Sequence, residues 1–360
     1  MNFRIVVIVF TLIGTNLPVK AEDICNVTAY EDIQNAVSNC STIVLKDVEI
    51  PANTTLELHL NNNTELIFDG RLTHVPVDLV GYLVTIYGNG LTITGTKDHV
   101  LDGMGPQHWN GKNETIIMRP NLLMFKVTNT TIKNLNILNC ANHCTHISDS
   151  SDVIVSNIFI DNREGYPGVA PVGKFAANTD GIGISGSTEI YISDVVVFNQ
   201  DDCVAITEGQ NIFVENLFCN GSHGLSLSVG GGDVSNVIFK DSILTQPRQA
   251  IHLKTHNDGT DGHIYNILYE NILFLDAFKM GISIQQNYPS GELRGNVPIT
   301  NLTLLNVHGT VLSDAIPVSI LCAEGACSDW NWINVTVSGT QSNNECENIP
   351  ENMRDKIVCS

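Results

Sequence analysis

Short β-branched runs recur between residues 120 and 310, and each is crossed by one Asn or Asp. They cover residues 131–137 around Asn134, 153–160 around Asn157, 190–197 around Asp194 and 212–218 around Asn216, with weaker members at Asp241, Asn271 and Asn306. From Asn134 onward the intervals are 23, 37, 22, 25, 30 and 35 residues. A basic coil of about 22 residues with variable inserts is the mark of a solenoid, in which each coil buries its inner face against its neighbours. The spacing therefore predicts an all-β chain folded as a parallel β-helix.

A second register supports that reading. Asp180-Gly-Ile-Gly-Ile-Ser, Asp202-Cys-Val-Ala-Ile-Thr, His223-Gly-Leu-Ser-Leu-Ser, Gln249-Ala-Ile-His-Leu-Lys and Met280-Gly-Ile-Ser-Ile-Gln share one pattern, with starts 22, 21, 26 and 31 residues apart. Stacked as one parallel sheet, equivalent residues of successive coils lie about 4.8 Å apart. A β-sandwich of many short strands is the alternative, but it does not predict matched sequences at that interval.

Composition narrows the partners. Only 16% of residues are charged, against roughly 25% in an ordinary soluble domain. With 18 Lys and Arg against 38 Asp and Glu, 18 − 38 leaves a net charge of −20. Nucleic acid is excluded as a partner, because its phosphates would be repelled. Disorder is excluded too, since 43% apolar residues supply a large core.

Ten cysteines without paired CxxC spacing point to disulfides in an oxidising compartment, not to a metal site. The N-terminus agrees. Arg4, the apolar residues 5–12 and the small-residue site Val19-Lys20-Ala21 predict a secretory signal peptide over residues 1–21. The mature chain, 22–360, is then expected to be one β-helix domain, secreted and extracellular. No apolar run reaches the roughly 20 residues that span a bilayer, so no membrane partner is expected after cleavage. Nine Asn-x-Ser/Thr sequons, at Asn26, Asn39, Asn53, Asn62, Asn113, Asn129, Asn220, Asn301 and Asn334, fit a secreted glycoprotein.

Open solenoid ends need covers. Thr28-Ala-Tyr-Glu31 reads as a capping box ahead of Ile33, Ala36 and Val37 at helical spacing, which predicts a short N-terminal cap helix. A Cys25–Cys40 bridge would tie it down, and Cys322–Cys327 and Cys346–Cys359 would staple the tail. Cys203 and Cys219 are placed to join two coils. Cys140 and Cys144 form either a local bridge or two free thiols, for sequence alone does not fix connectivity. A capped, glycosylated β-helix is most simply a monomer.

The stacking register also makes a chemical prediction. Asp180 and Asp202 open adjacent coils, Asp201 precedes Asp202, and His223 takes the same place one coil on. His252 and Lys254 follow from the next coil. Three carboxylates, an imidazole and an ammonium converge on one strip, and mutual repulsion should raise at least one carboxyl, which suits a general acid. The structural reading of each Asp is a strand-end cap. A calcium site would also gather carboxylates, but the adjacent His and Lys oppose it.

Asn178-Thr179-Asp180, Asp201-Asp202, Gly221-Ser222-His223-Gly224 and Lys254, in this order, resemble the signature of the polygalacturonases, glycoside hydrolase family 28. Asp102-Gly-Met-Gly-Pro-Gln-His-Trp109 and Gln285-Gln-Asn-Tyr288 are supporting matches, and the similarity runs from about Cys25 to Cys359. The resemblance implies a right-handed parallel β-helix that hydrolyses α-1,4 links between galacturonic acid units with inversion. It implies no cofactor and no metal, and pectin, polygalacturonic acid and oligogalacturonides as partners. Carried over by position, Asp201 resembles the general acid, Asp180 and Asp202 the pair that holds and deprotonates the water, and His223 the residue that tunes the acid. In an inverting enzyme acid and base stand roughly 6.5–9.5 Å apart, which leaves room for that water. Asn178 and Tyr288 resemble residues that shape the sugar cleft, and Lys254 the cation that meets the substrate carboxylate.

One position departs. His252-Leu253-Lys254 stands where the family carries Arg-Ile-Lys. A histidine facing the cleft lacks the bidentate fork, a loss of about 1–3 kcal/mol, and it is charged only at acidic pH. Three readings follow: an active enzyme with weaker binding and a more acidic optimum, a different or esterified substrate, or a pectin-binding protein without turnover. A calcium-dependent pectate lyase is a further alternative, opposed by the lack of an arginine on this strip. With every catalytic carboxylate present, the expectation is an active, endo-acting hydrolase. Residues 164–171, inside the 37-residue interval, are expected to wall the cleft, and a glycan on Asn220 would crowd it, so that sequon is expected to be unused.

Overall fold

The computed structural model describes residues 23–111, 118–339 and 343–357. The predicted leader, the sequon at Asn113 and the Cys359 end of the tail bridge lie outside them. The chain forms a parallel β-helix, in which every paired strand is parallel to its partner one coil away. Each central coil combines a short strand with a long bent one: Ile182–Ser185 with Ser187–Phe198, then Val204–Ile206 with Gly209–Asn220, then Leu225–Val229 with Gly232–Thr245.

Columns of β-branched and aliphatic side chains fill the interior. Ile190, Ile212, Val237, Ile267 and Leu302 follow one another in register through five coils, and each is 0–1% exposed. A fully buried side chain of this size contributes about 1.5–3 kcal/mol, so a stack repeated along the axis supplies what a single coil cannot.

The Asn and Asp residues that mark the repeat are its corners. Asn134, Asn157, Asp194, Asn216, Asp241, Asn271, Asn306 and Asn334 all adopt left-handed backbone, with φ between 48° and 56°. Asn and Asp tolerate this region better than other side-chain-bearing residues. Their side chains also join successive coils: Asn157 Nδ2 donates to Asn134 Oδ1 at 2.7 Å, Asn216 to Asp194 at 2.5 Å and Asn271 to Asp241 at 2.7 Å. A second ladder runs through Glu189, Asn211, Asn236, Asn266 and Asn301, again left-handed and hydrogen-bonded rung to rung.

The cap helix, Ile33–Asn39, buries Ile33, Ala36 and Val37 and is joined to the first strand by the Cys25–Cys40 disulfide. The predicted capping box is absent. A 3₁₀ turn, Tyr30–Asp32, enters the helix behind Ala29, with no side-chain cap bond. Strand Ile24–Val27 and the disulfide fix the approach of the chain and leave Thr28 exposed. Disulfides Cys140–Cys144, Cys203–Cys219 and Cys322–Cys327 are also formed. At the far end Trp330 and Trp332 stack with ring centres 6.5 Å apart, and Met353 is buried in the same core. Among the described residues no helix is long and apolar enough to cross a membrane.

Candidate active site

The second repeat of the sequence aligns in the structure. Ile182 pairs with Val204, Val204 with Leu225, Leu225 with Ile251 and Ile251 with Ile282. Two residues ahead of each stand Asp180, Asp202, His223, Gln249 and Met280, which is the predicted stacking. The turn before each strand carries the chemistry, and backbone bonds hold it. Gly181 N–H donates to Asp202 O at 2.9 Å, and His223 N–H to Asp201 O at 2.7 Å. Buried Asn199 donates to Thr179 O and Asp202 O, and so ties two of these turns together. Gly224 has φ +91°, and a Cβ there would sit 2.3 Å from the Gln249 carbonyl oxygen; this explains the glycine after His223.

Asp201 and Asp202 are buried, at 8% and 2% exposure, and Asp180 is largely so. Asp201 Oδ1 lies 3.1 Å from His223 Nδ1, and Asp202 Oδ2 accepts from Lys254 Nζ at 2.8 Å. Lys254 also lies over the Tyr288 ring, 5.0 Å from its centre. Asn178, at left-handed φ 61°, accepts from Arg119 Nη2 at 3.2 Å. His252 is only 3% exposed, and both ring nitrogens are sealed from solvent.

Burial pushes Asp180 well above the usual carboxylate range, and the charges of Asp201 and Asp202 add to it. Burial also pushes Asp202 up, Lys254 pulls it back, and Asp201 leaves it raised. For Asp201 burial is outweighed by His223 and Lys254, which hold its carboxyl below the ordinary value. Burial lowers Lys254, but Asp202 and Asp201 more than reverse this and keep the ammonium charged. Of the three coupled carboxyls Asp180 is the one pushed furthest toward the protonated form, and Asp201 is the one held toward the charged form. His143 Nε2 stands 3.6 Å from Asp180 Oδ1, but burial lowers its pKa, so it brings a neutral ring and not a balancing cation.

His143, Arg119 and Tyr82 were not legible as site residues. His143 sits inside the Cys140–Cys144 loop, a histidine between two close cysteines that offered a faint signal. Tyr82, half-buried and held protonated by that burial and by Asp180, comes from an upstream coil. Tyr166 and Pro167, from the segment expected to wall the cleft, line a cavity of about 530 Å³ with Phe175, His223, Arg248 and Phe278. A larger hollow, about 790 Å³, lies around Trp332 and Lys356; Asp180, Asp201 and Asp202 line neither cavity, and the smaller one meets the cluster at His223. Both Nδ2 hydrogens of Asn220 are committed, to Thr245 O at 3.3 Å and Thr245 Oγ1 at 2.8 Å.

Among the described residues Asp201, Asp202 and His223 bring potential metal-ligating atoms within 4.8 Å of one another. The Lys254 ammonium already sits against Asp202, so a divalent cation there would face a fixed positive charge. The donors suit proton transfer better.

Residues 40–359 match the family described as Glycosyl hydrolases family 28. The probable endopolygalacturonase I of Aspergillus terreus is 39% identical over 337 residues, 91% of this chain and 89% of its own. A polygalacturonase of Phaedon cochleariae is 32% identical over 367 residues, 97% of this chain and 99% of its own. Among solved structures, endopolygalacturonase I from Stereum purpureum, complexed with two galacturonates, superposes with a TM-score of 0.81 at 28% identity, over 91% of this chain and 98% of that one.

Proposed function

The chain belongs to glycosyl hydrolases family 28, and on that footing we propose that it hydrolyses α-1,4 galacturonosyl links of polygalacturonic acid from within the polymer, with inversion. One observation carries the reading: three buried carboxylates on adjacent coils, with His223 at 3.1 Å from Asp201 and Lys254 at 2.8 Å from Asp202. In this reading Asp201, partnered by His223, protonates the leaving oxygen. Asp180 and Asp202 hold the water; as substrate binds, the proton favoured on Asp180 passes to Asp201, which leaves Asp180 free to take a proton from the water and Asp201 able to give one to the leaving oxygen. Lys254 supplies the fixed cation at the cleft floor, while Asn178 and Tyr288 shape its walls. Cleavage within the polymer fits the names of the Aspergillus and Stereum relatives. An extracellular location fits the bridged cysteines, which belong to an oxidising compartment.

The test is incubation with polygalacturonic acid between about pH 4 and 7, following reducing ends, product length and the anomer first released. Mixed oligomers and a β-anomer are expected. No new reducing ends would end the hydrolase reading, and monomer as the sole early product would end the endo reading.

A second assignment of roles has one observation in its favour, since Asp180 and not Asp201 carries the raised carboxyl. Aryl galacturonides separate the two. A good leaving group needs no acid, so it rescues Asp201→Asn if Asp201 is the acid and Asp180→Asn if the roles are exchanged.

A further inference from the structure

We propose that His252 is a positioning residue that holds the Asp202 carboxylate and makes no contact with the polymer. The proposal rests on the hydrolase reading for its kinetic test, though not for its geometry. His252 lies in strand Gln249–His256, in register between Ser226 on one neighbouring coil and Ser283 on the other. Both serines are fully buried, and their hydroxyls, like both His252 nitrogens, have no hydrogen-bond partner in the protein. A polymer lying in the cleft cannot reach a ring sealed in this way.

Among the described residues Asp202 is the carboxylate that faces the ring. His252 Nδ1 stands 4.0 Å from Asp202 Oδ1, and that oxygen is itself buried and otherwise unpartnered. Its sister Oδ2 is taken by Lys254. Two orphaned groups, a donor and an acceptor, thus face each other about 1 Å beyond hydrogen-bond length. Closure of that gap gives Asp202 one partner on each oxygen, which fixes the plane of its carboxylate. Tyr288 bounds the far side of the arrangement, its ring edge-on to His252 with centres 6.3 Å apart.

The charged and titratable groups around the ring are Asp202, Lys254, His223, Asp201, Arg248 and Tyr288. Burial lowers the imidazole well below its ordinary value, and the Lys254 ammonium lowers it further. The ring therefore acts as a neutral N–H donor and adds no charge for a substrate carboxylate.

Two substitutions test this on the full chain. His252→Leu keeps the volume and removes the donor; His252→Gln keeps a neutral donor of similar reach. Loss of a hydrogen bond to a charged carboxylate should lower kcat about 10–100-fold, with KM within about twofold of wild type. His252→Gln should recover much of it, and the acidic limb of kcat should move to higher pH in His252→Leu as Asp202 loses a donor. A tenfold rise in KM at unchanged kcat would overturn the proposal, as would wild-type kinetics in His252→Leu. Nitrogen-15 histidine NMR gives a readout independent of turnover. The His252 Nδ1–H signal should shift on Asp202→Asn and stay fixed when an oligogalacturonate is added; the reverse pattern overturns the proposal. If wild type fails to cleave pectate while the NMR result holds, the hydrolase reading falls and the positioning role stands.

Discussion

His223 Nδ1 lies 3.1 Å from Asp201 Oδ1, and its Nε2 faces Arg248 Nη1 at 3.4 Å. A guanidinium only donates, so Nε2 accepts and the ring proton sits on Nδ1, directed at Asp201. Asp201→Asn is expected to lower kcat roughly 10²–10⁴-fold. His223→Asn should cost less and should release Asp201 upward, because His223 is a main influence holding that carboxyl down. The kcat limb belonging to Asp201 then moves to higher pH, a shift that rate profiles of the two proteins will show.

The Asp202–Lys254 pair is buried on both sides. Lys254→Met strands a carboxylate, at a cost of about 3–5 kcal/mol near neutral pH. The cost shrinks under acidic conditions, where Asp202 takes a proton. The double variant Asp202→Asn, Lys254→Met should regain most of the loss, which denaturant unfolding at two pH values will measure.

His146 and His108 are both lowered to about 4 from an ordinary value of 6.5, chiefly by burial. The unfolded chain therefore binds more protons as pH falls below 6.5, and stability drops from there to about pH 4. Asp180 works in the opposite sense: its raised carboxyl contributes stability that is full below its unfolded value and is lost as pH rises through the folded one. His146→Gln, which can still hydrogen-bond toward Ser185, should flatten the slope of thermal stability between pH 6.5 and 4.

At Asn216 the ladder predicts an ordering of variants. Asn216→Gly loses the bond to Asp194 but tolerates φ 55°. Asn216→Val loses the bond and places a β-branched residue in left-handed backbone, for roughly 1–2 kcal/mol more. Equal midpoints for the two in urea unfolding would contradict the corner role.

Much of the site was legible because its residues share one offset from a repeated strand. Asp180, Asp202 and His223 each stand two residues before an inward aliphatic, so the period that builds the core also aligns the chemistry. His143, Arg119 and Tyr82 follow no period. They arrive from loops and an upstream coil, whose approach depends on tertiary packing. His252 shows the opposite failure. The register sets it beside Lys254, but sequence does not say that Ser226 and Ser283 flank the ring, that Tyr288 stands edge-on to it, or that it ends up buried. The second ladder lies at the start of each long strand, where Asn211, Asn236, Asn266 and Asn301 precede the apolar runs and do not cross them.

The bridges fully within the described residues close short stretches, with cysteines 15, 4, 16 and 5 positions apart. None of them binds the first coil to the last. Under a pulling force or a processive protease, these bridges hold their own layers but leave the stack able to peel layer by layer. The layers that hold Asp180, Asp201 and Asp202 lie well inside, clamped on both flanks by their neighbours. Wear at the termini would thus spare the reaction centre longest, so an ageing molecule should shorten before it falls silent.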